Sequence, residues 1–151
     1  MKTTLIEGPF GAELLHANDD IAFVEHPIAP RTLAGPRHVH QHEDEYSYVL
    51  DGEVGFELGD DVFTARPGEL VAKPRGIWHA FWNASDRPAR ILEVIAPSGF
   101  ERYFAELREL IPPVRPERDL AGLAELQKRY GLEMDFSSIE RLSREHGLGS
   151  P

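Results

Sequence analysis

The sequence predicts an all-β protein, an antiparallel sandwich or barrel, with a helical extension at its C-terminal end. Short runs rich in aromatic and β-branched residues are separated at even intervals by turn-forming Gly, Pro, Asn and Asp residues, which is typical of such a sheet protein. Beyond Pro97 the apolar residues recur at helical spacing instead. With 151 residues, the chain is most economically one domain with a proper core.

The predicted strands follow one another closely through the first two thirds of the chain. The Asp51-Gly52 step supplies the positive backbone angles that a two-residue hairpin needs. The alternation of residues 21–28 is typical of an edge strand that requires a partner. Besides a strand that carries His38 and His40, we place strands at residues 12–16, 21–28, 46–50, 54–58, 62–65, 70–73, 79–82 and 89–95.

Three amphipathic helices are predicted after Pro97. Each is too short to be stable alone, so it must pack on the barrel, on another helix or on a partner subunit. The first helix starts at a capping box formed by Ser98 and Glu101 and stops at Pro112-Pro113. The second covers residues 117–130 and stops at Gly131. The third starts at a capping box formed by Ser137 and Glu140 and stops at Gly147.

The overall charge excludes several classes of partner. The chain has 26 acidic and 16 basic residues, a formal net charge of −10, and no basic run, so a nucleic acid or an anionic membrane would be repelled. It has no cysteine, which excludes disulfides and thiolate catalysis. No apolar stretch has the length of a signal peptide or a membrane span, so we expect a soluble cytoplasmic protein with a small-molecule partner.

Histidines and a carboxylate cluster in the middle of the chain. His38, His40 and His42 alternate at period two, so an extended strand points all three to one face. Glu45 follows at odd spacing, and a strand, a bend and a second strand can aim two histidines and this carboxylate at one point. His79 follows a Pro/Gly turn and offers a fourth ligand. Imidazole and carboxylate suit Fe, Mn, Ni, Co, Cu or Zn and leave positions open for a substrate.

The spacing of these residues resembles the two motifs of the cupin family. The resemblance covers about residues 31–97, and two motifs in register are more specific than either alone. The opening glycine of the first motif would fall on Thr32, which is the one departure. The first motif is matched at His38, His40, Glu45 and Gly52. The second motif is matched at Gly68, Pro74, Gly76, His79 and Asn83.

The resemblance implies a cupin double-stranded β-helix, a jelly-roll barrel, over residues 1–97 and a helical extension over residues 98–151, packed on the barrel or on a dimer partner. It implies one divalent transition metal (Fe, Mn, Ni, Co, Cu or Zn) held by His38, His40, Glu45 and His79. His40 with His42 is a second possible pair from strand geometry, but the family spacing favours His38 with His40. We therefore expect His42 to lie at the rim of the site or to contact a metal-ligating residue without binding the metal itself. The resemblance also implies a homodimer.

Strand alternation predicts the surroundings of the metal. If Glu45 points inward, Ser47 and Val49 do so as well, and Phe81 does so with His79. The predicted substrate pocket consists of Ser47, Val49, Phe56, Phe63 and Phe81, although ordinary barrel core is an equally good interpretation of the aromatic side chains. The acids Glu43, Asp44, Asp60 and Asp61 are interpreted as solvated turn residues.

The resemblance is closest to small single-domain cupins of the quercetin-dioxygenase-like kind. It implies an oxygenase that acts on a small aromatic or enol-bearing molecule, with Glu45 as the catalytic base. Two other functions stay open, because one fold supports many reactions. One is a redox-neutral, metal-dependent isomerase, cyclase or lyase, and the other is a cupin that binds a small ligand without catalysis.

Overall fold

The structure, a computed structural model, describes residues 2–110 and 120–149 and shows twelve strands and three helices there. The strands are β1 (Thr3–Ile6), β2 (Ala12–Ala17), β3 (Ala22–Ile28), β4 (Thr32–Leu33), β5 (Arg37–His40), β6 (Asp44–Asp51), β7 (Val54–Leu58), β8 (Asp61–Ala65), β9 (Leu70–Lys73), β10 (His79–Asn83), β11 (Ala89–Ala96) and β12 (Leu132–Asp135). The helices are α1 (Arg102–Leu110), α2 (Leu120–Arg129) and α3 (Ser138–His146).

The strands form two antiparallel sheets. One sheet has the order β1-β2-β3-β11-β6-β9, and the other has the order β12-β5-β10-β7-β8 with β4 beside β10. Apolar side chains of both sheets meet in one buried cluster that includes Val49, Ile91, Phe56 and Phe81. The sheets therefore face each other across a shared core, and the predicted fold class, a β barrel followed by helices, is confirmed.

Every predicted strand is present, with ends that differ by at most two residues from the prediction. The interpretation of residues 21–28 as an edge strand is wrong, because β3 lies between β2 and β11 and is hydrogen-bonded on both sides. The homodimer is therefore no longer supported by an edge strand at residues 21–28, and it remains a prediction from the family resemblance. Strands β1, β4 and β12 were not predicted, and each is a short strand of two to four residues.

The helices lie where the sequence predicts them. Helix α3 ends at Gly147, whose φ of 66° is the left-handed conformation that a glycine stop supplies. The predicted stop at Pro112-Pro113 and the predicted start of the second helix lie outside the described residues. Within residues 2–110 and 120–149, no helix has both the length and the apolar character required to cross a membrane.

Neither predicted capping box forms. The Ser98 hydroxyl donates to the Asn18 carbonyl, and the Glu101 carboxylate accepts a hydrogen bond from the Gly99 N–H at 2.6 Å. Helix α1 accordingly begins one residue after Glu101. Ser137 precedes α3 as predicted but makes no side-chain capping bond. The spacing of these serines and glutamates therefore marked the helix starts, although the side chains are used differently.

The C-terminal segment shares a hydrophobic core with the barrel of its own chain. One buried cluster joins Val24 and Ile95 of the barrel to Phe100 and Leu126 of the extension. Strand β12 also pairs with β5 and so continues the second sheet. The extension thus covers the end of the barrel at which β5 carries its two histidines.

Candidate metal centre

Three strands, two of one sheet and one of the other, place the four predicted ligand residues. Strand β5 carries His38 and His40, β6 carries Glu45, and β10 carries His79. The register of β10 with β5 sets His79 directly opposite His38. A bend at residues 41–43 leads from β5 in one sheet to β6 in the other, and this bend brings Glu45 to the same point.

The four side chains converge. One ligand atom from each of His38, His40, Glu45 and His79 lies within 4.8 Å of the other three. Oε1 of Glu45 is 3.1 Å from Nε2 of His40 and 3.7 Å from Nε2 of His79. His38 is partly exposed and the other three are buried. His38, His40 and Glu45 line a cavity.

Backbone carbonyls orient two of the imidazoles. Nδ1 of His38 donates to the Pro36 carbonyl at 2.8 Å, and Nδ1 of His79 donates to the Ile77 carbonyl at 3.1 Å. Because Nδ1 carries the proton in both rings, Nε2 of each neutral ring presents its lone pair to the cluster. This arrangement is characteristic of metal-binding histidines.

A carboxylate orients the third imidazole. Nδ1 of His40 donates to Oε2 of Glu43 at 2.9 Å. The interpretation of Glu43 as a solvated turn acid is wrong, because this residue is only 5% exposed. Among the described residues, Nε2 of His79 is buried without a hydrogen-bond partner, and Nε2 of His40 has only the Glu45 carboxylate beside it, at 3.1 Å. Such unsatisfied nitrogens are costly unless a cation binds them.

The electrostatics of the cluster favour a cation. Burial lowers the pKa of His38 and His79, which keeps both rings neutral. Burial also acts to lower the pKa of His40, but the carboxylates of Glu45 and Glu43 raise this pKa to about 9. Burial opposes ionisation of Glu45, yet the charge of His40 holds the pKa of this carboxyl well below its usual range. In the metal-free protein a proton on His40 therefore supplies the positive charge that the buried carboxylate requires.

The donor set fits one divalent transition metal. Imidazole nitrogens with one carboxylate oxygen are the donors that such ions prefer, and the unpartnered Nε2 atoms point to the place where it would bind. His42 is not in this cluster. Its exposed ring instead packs beside Gly131, where a Cβ would lie 2.4 Å from Cδ2 of His42.

A cavity of about 240 Å³ opens at the cluster and is lined mostly by apolar side chains. Of the five predicted pocket residues, only Phe81 lines this cavity. Ser47 is fully buried, Val49 and Phe56 belong to the barrel core, and Phe63 is 36% exposed on β8. Strand alternation was right that four of these side chains are buried in the barrel and wrong for Phe63. It did not show how far each buried side chain lies from the clustered ligand atoms.

The C-terminal extension supplies much of the cavity wall, although none of its side chains was among the predicted pocket residues. The wall includes Phe100, Phe104, Leu107, Leu123 and Met134. The Phe100 ring meets the His40 ring edge to face, with centroids 4.4 Å apart. Helical spacing indicated that Phe100, Phe104 and Leu107 share one apolar face, but only the packing of the extension on the barrel shows that this face lies against the cavity.

Two further polar residues that the sequence analysis missed also line the cavity. They are Glu93 on β11 and His26 on β3, which are 1% and 2% exposed. Glu93 shares β11 with Arg90, and His26 directly follows Glu25 in β3. Neither residue belongs to a motif with a recognisable spacing, so no signal in the sequence distinguished it from an outward-facing polar side chain.

Residues 24–95, just under half of the chain, match the family profile of the Cupin domain. No curated protein matches the chain. Among solved structures, TT1209 from Thermus thermophilus is 27% identical, with a TM-score of 0.56 over 62% of this chain and 90% of that chain. KdgF from Halomonas sp. is 18% identical, with a TM-score of 0.58 over 62% of this chain and 84% of that chain.

A third similar structure names the fold. It is an uncharacterized conserved protein with a double-stranded β-helix domain from Klebsiella pneumoniae, 22% identical, with a TM-score of 0.55 over 61% of this chain and 80% of that chain. The present chain has the same two-sheet architecture, with a His-His-Glu-His cluster at the mouth of the barrel. The chain therefore has the double-stranded β-helix fold, and its residues 24–95 match the Cupin domain profile.

Proposed function

We propose that the protein is a metal-dependent cupin enzyme, an oxygenase that acts on a small aromatic or enol-bearing molecule. The observation that carries the proposal is the convergence of four ligand atoms within 4.8 Å, next to a cavity walled by aromatic side chains. A metal with open positions beside an apolar pocket is a common arrangement for binding and activating a small substrate.

His38, His40, Glu45 and His79 would hold one divalent transition metal. When bound, such a metal supplies a Lewis acid and, where it is redox-active, a site for oxygen chemistry. The donor set accepts most first-row ions, so the native metal follows from analysis of the purified protein. Protein prepared without chelators and without nickel resin should carry Fe, Mn, Ni, Co or Cu if the oxygenase proposal holds.

The residues of the chain bind, orient and desolvate the substrate. A cavity of about 240 Å³ with a mostly apolar lining admits one small ring and leaves little room for water. The Glu45 carboxylate lies on the cavity wall and is ionised at neutral pH, because its pKa is held low by His40 although burial opposes this. As an ionised carboxylate on the cavity wall, it is the group that we propose accepts a proton from a substrate hydroxyl.

A redox-neutral reaction is the second candidate function. Glu93 and His26 also line the cavity, and such groups are the acids and bases that an isomerase, cyclase or lyase requires. A cupin that binds a small ligand without catalysis is the third candidate. The three candidates differ in their need for oxygen and in whether a product forms.

Oxygen uptake tests the proposal. The metal-loaded protein is supplied with a set of phenols and diketones, and oxygen consumption and products are followed with air and without it. Oxygen-dependent product supports the oxygenase, product that forms equally well without oxygen supports the redox-neutral enzyme, and binding without product supports the ligand-binding protein. A Glu45→Gln variant with full metal and full turnover would exclude Glu45 as the base. His42→Ala is the matched control, because His42 is outside the cluster.

The homodimer also remains a proposal. Two-fold dimers are the commonest soluble assemblies, and the family resemblance implies one. Light scattering at micromolar concentration should give twice the mass of the chain. A monomeric mass would contradict the prediction without affecting the metal site, since all four clustered residues come from one chain.

A further inference from the structure

A row of polar side chains crosses the otherwise apolar cavity wall. Glu45 on β6, Glu93 on β11 and His26 on β3 all line the cavity, and their strands are neighbours in one sheet. Glu93 pairs with Ser47, two residues beyond Glu45, and with Val24, two residues before His26. Glu93 is therefore the diagonal neighbour of both residues on one face of the sheet. The row leads from the metal cluster to the far side of the cavity.

Lys73 balances the charge of Glu93. Nζ of Lys73 lies 2.8 Å from Oε2 of Glu93, and the Ser47 hydroxyl donates to Oε1 of Glu93 at 2.9 Å. The same Nζ is 3.8 Å from Oε1 of Glu45 and 4.5 Å from the centre of the Phe81 ring. One buried ammonium group thus stands between the carboxylate of the cluster and the carboxylate of Glu93.

This ion pair has no evident role in stability. The side chains of Lys73 and Glu93 are 0% and 2% exposed, and removing such charges from water costs several kcal/mol for each ion. An apolar pair of similar volume is often as stable or more stable. Metal binding by the four clustered residues does not require Glu93. A carboxylate held by two donors at the edge of a cavity, however, keeps further lone pairs available to a ligand.

We propose that Glu93 is a specificity-determining residue that accepts a hydrogen bond from a hydroxyl or N–H group of the substrate, at a second point beyond the metal-binding oxygen. The inference rests on the proposed function, because the metal supplies the first anchor. The proposed substrates are therefore small rings or enols with two polar groups. One group binds the metal, and the other donates a hydrogen bond to Glu93.

His26 supports the same substrate class. Its Nδ1 donates to the Gly11 carbonyl at 2.8 Å, so Nε2 of the neutral ring is an acceptor. Burial lowers the pKa of His26 and so favours this neutral form. Glu93 and His26 therefore present acceptors to the cavity, and the Lys73 ammonium group is already bound to Glu93. A hydroxyl group satisfies these acceptors, whereas an ether or a halogen does not.

The test uses probes that are anchored on the metal. Benzohydroxamic acid and its ortho-, meta- and para-hydroxyl derivatives are titrated into the cobalt-loaded protein, and binding is followed by the visible spectrum of the metal and by calorimetry. We expect at least one hydroxyl derivative to bind about 10-fold or more tightly than the parent compound, as is typical of a hydrogen bond to a charged acceptor. The methoxy derivative of the same isomer should lose this advantage.

The variant Lys73→Met/Glu93→Leu removes the ion pair without leaving a buried charge. It should keep the fold, retain cobalt and bind the parent compound, but lose the preference for the hydroxyl derivative. Glu93→Gln provides a second variant that keeps the side-chain shape, and it should lose part of the preference. Arg144→Met/Glu140→Leu is the matched control, because that ion pair is exposed on α3 and outside the cavity.

Two results would contradict the inference in different ways. Equal binding of the parent and all hydroxyl derivatives, or a preference that persists in Lys73→Met/Glu93→Leu, would overturn the role of Glu93 and leave the metal site intact. Absence of any hydroxamate binding to cobalt-loaded protein would overturn the proposed function and with it this inference. Cobalt content and circular dichroism of every variant distinguish these results from a failure to fold.

Discussion

Nδ1 of His40 donates a hydrogen bond to the carboxylate of Glu43, three residues further along the chain, at 2.9 Å, and both residues are buried. This contact fixes the ring so that Nε2 faces Glu45 and the other clustered histidines. An acceptor behind a ligating imidazole also increases its basicity. The Glu43 carboxylate is thus an orienting group for the candidate metal centre.

Replacement of Glu43 should therefore weaken metal binding. We expect Glu43→Ala to lower metal affinity about 10- to 100-fold, and Glu43→Gln to lower it less, because the amide oxygen still accepts a hydrogen bond from His40. Competition with a chelator of known affinity measures the change. Glu53→Gln, an exposed acid beyond the Asp51-Gly52 turn, is the control and should have no effect. Unchanged affinity in Glu43→Ala would show that the contact does not orient the ligand.

Single replacements of the histidines test the assignment of the ligands. We expect His40→Ala and His79→Ala to lose most of the bound metal, since each removes an Nε2 atom from the cluster. His38→Ala should also lose metal, whereas His42→Ala should retain it, because His42 lies in the bend outside the cluster. Metal content is measured after identical dialysis of the four variants. An empty His42→Ala beside a full His38→Ala would reverse the assignment.

The strands of the barrel were predicted well because turn-forming residues and runs of strand-forming residues lie where the folded protein has its turns and strands. Turn residues such as Gly52, with φ of 77°, mark strand ends whatever the strands pack against. The four clustered residues were predicted for a different reason, because their spacing resembles the two cupin motifs. Strand alternation alone left His40 with His42 as a second possible pair.

What the sequence did not predict depends on contacts between distant segments. The four residues of β12 form a strand because they pair with β5, with Leu132 opposite His40, and nothing in so short a segment required this. Glu93 and Lys73 are distant in sequence, and only the order β11-β6-β9 brings them together around Ser47. The cavity wall likewise exists only once the extension packs on the barrel.

The raised pKa of His40 predicts how stability depends on pH. Glu45 and Glu43 raise this pKa to about 9 against the effect of burial, whereas burial lowers the pKa of His38 and His79. A group whose pKa in the folded protein exceeds its pKa of about 6.5 in the unfolded chain stabilises the fold at pH values below about 6.5. This stabilisation is lost as the pH rises through the pKa of the folded protein. Between about pH 7 and pH 9 the metal-free protein should lose on the order of a few kcal/mol of unfolding free energy.

Urea unfolding of the metal-free protein at a series of pH values checks this prediction. His40→Gln removes the titrating group, so its unfolding free energy should be nearly flat over the same interval. The metal-loaded protein should behave in the opposite way, because metal binding requires a deprotonated His40 and strengthens as the pH rises. A metal-free wild type whose stability increases from pH 7 to pH 9 would contradict the assignment of the proton to His40.

The extension should control the size of the cavity as well as stability. Phe100 is 5% exposed, its ring contacts the His40 ring, and it lines the cavity. Replacing it with alanine removes a buried aromatic side chain, for which the usual cost is about 3–5 kcal/mol. The space it leaves is continuous with the existing cavity, so Phe100→Ala should also admit larger ligands near His40.

Leu142→Ala separates the two effects. Leu142 is fully buried between α3 and the outer face of β10, where it packs with Ala80 and Trp82, and it does not line the cavity. Its truncation should cost about 2–5 kcal/mol without any change in ligand size preference. Unfolding curves and titrations with benzohydroxamic and naphthohydroxamic acids on both metal-loaded variants give the comparison. If Leu142→Ala shifts the preference toward the larger ring as much as Phe100→Ala does, general loosening of the fold explains the change and the covering role of Phe100 is wrong.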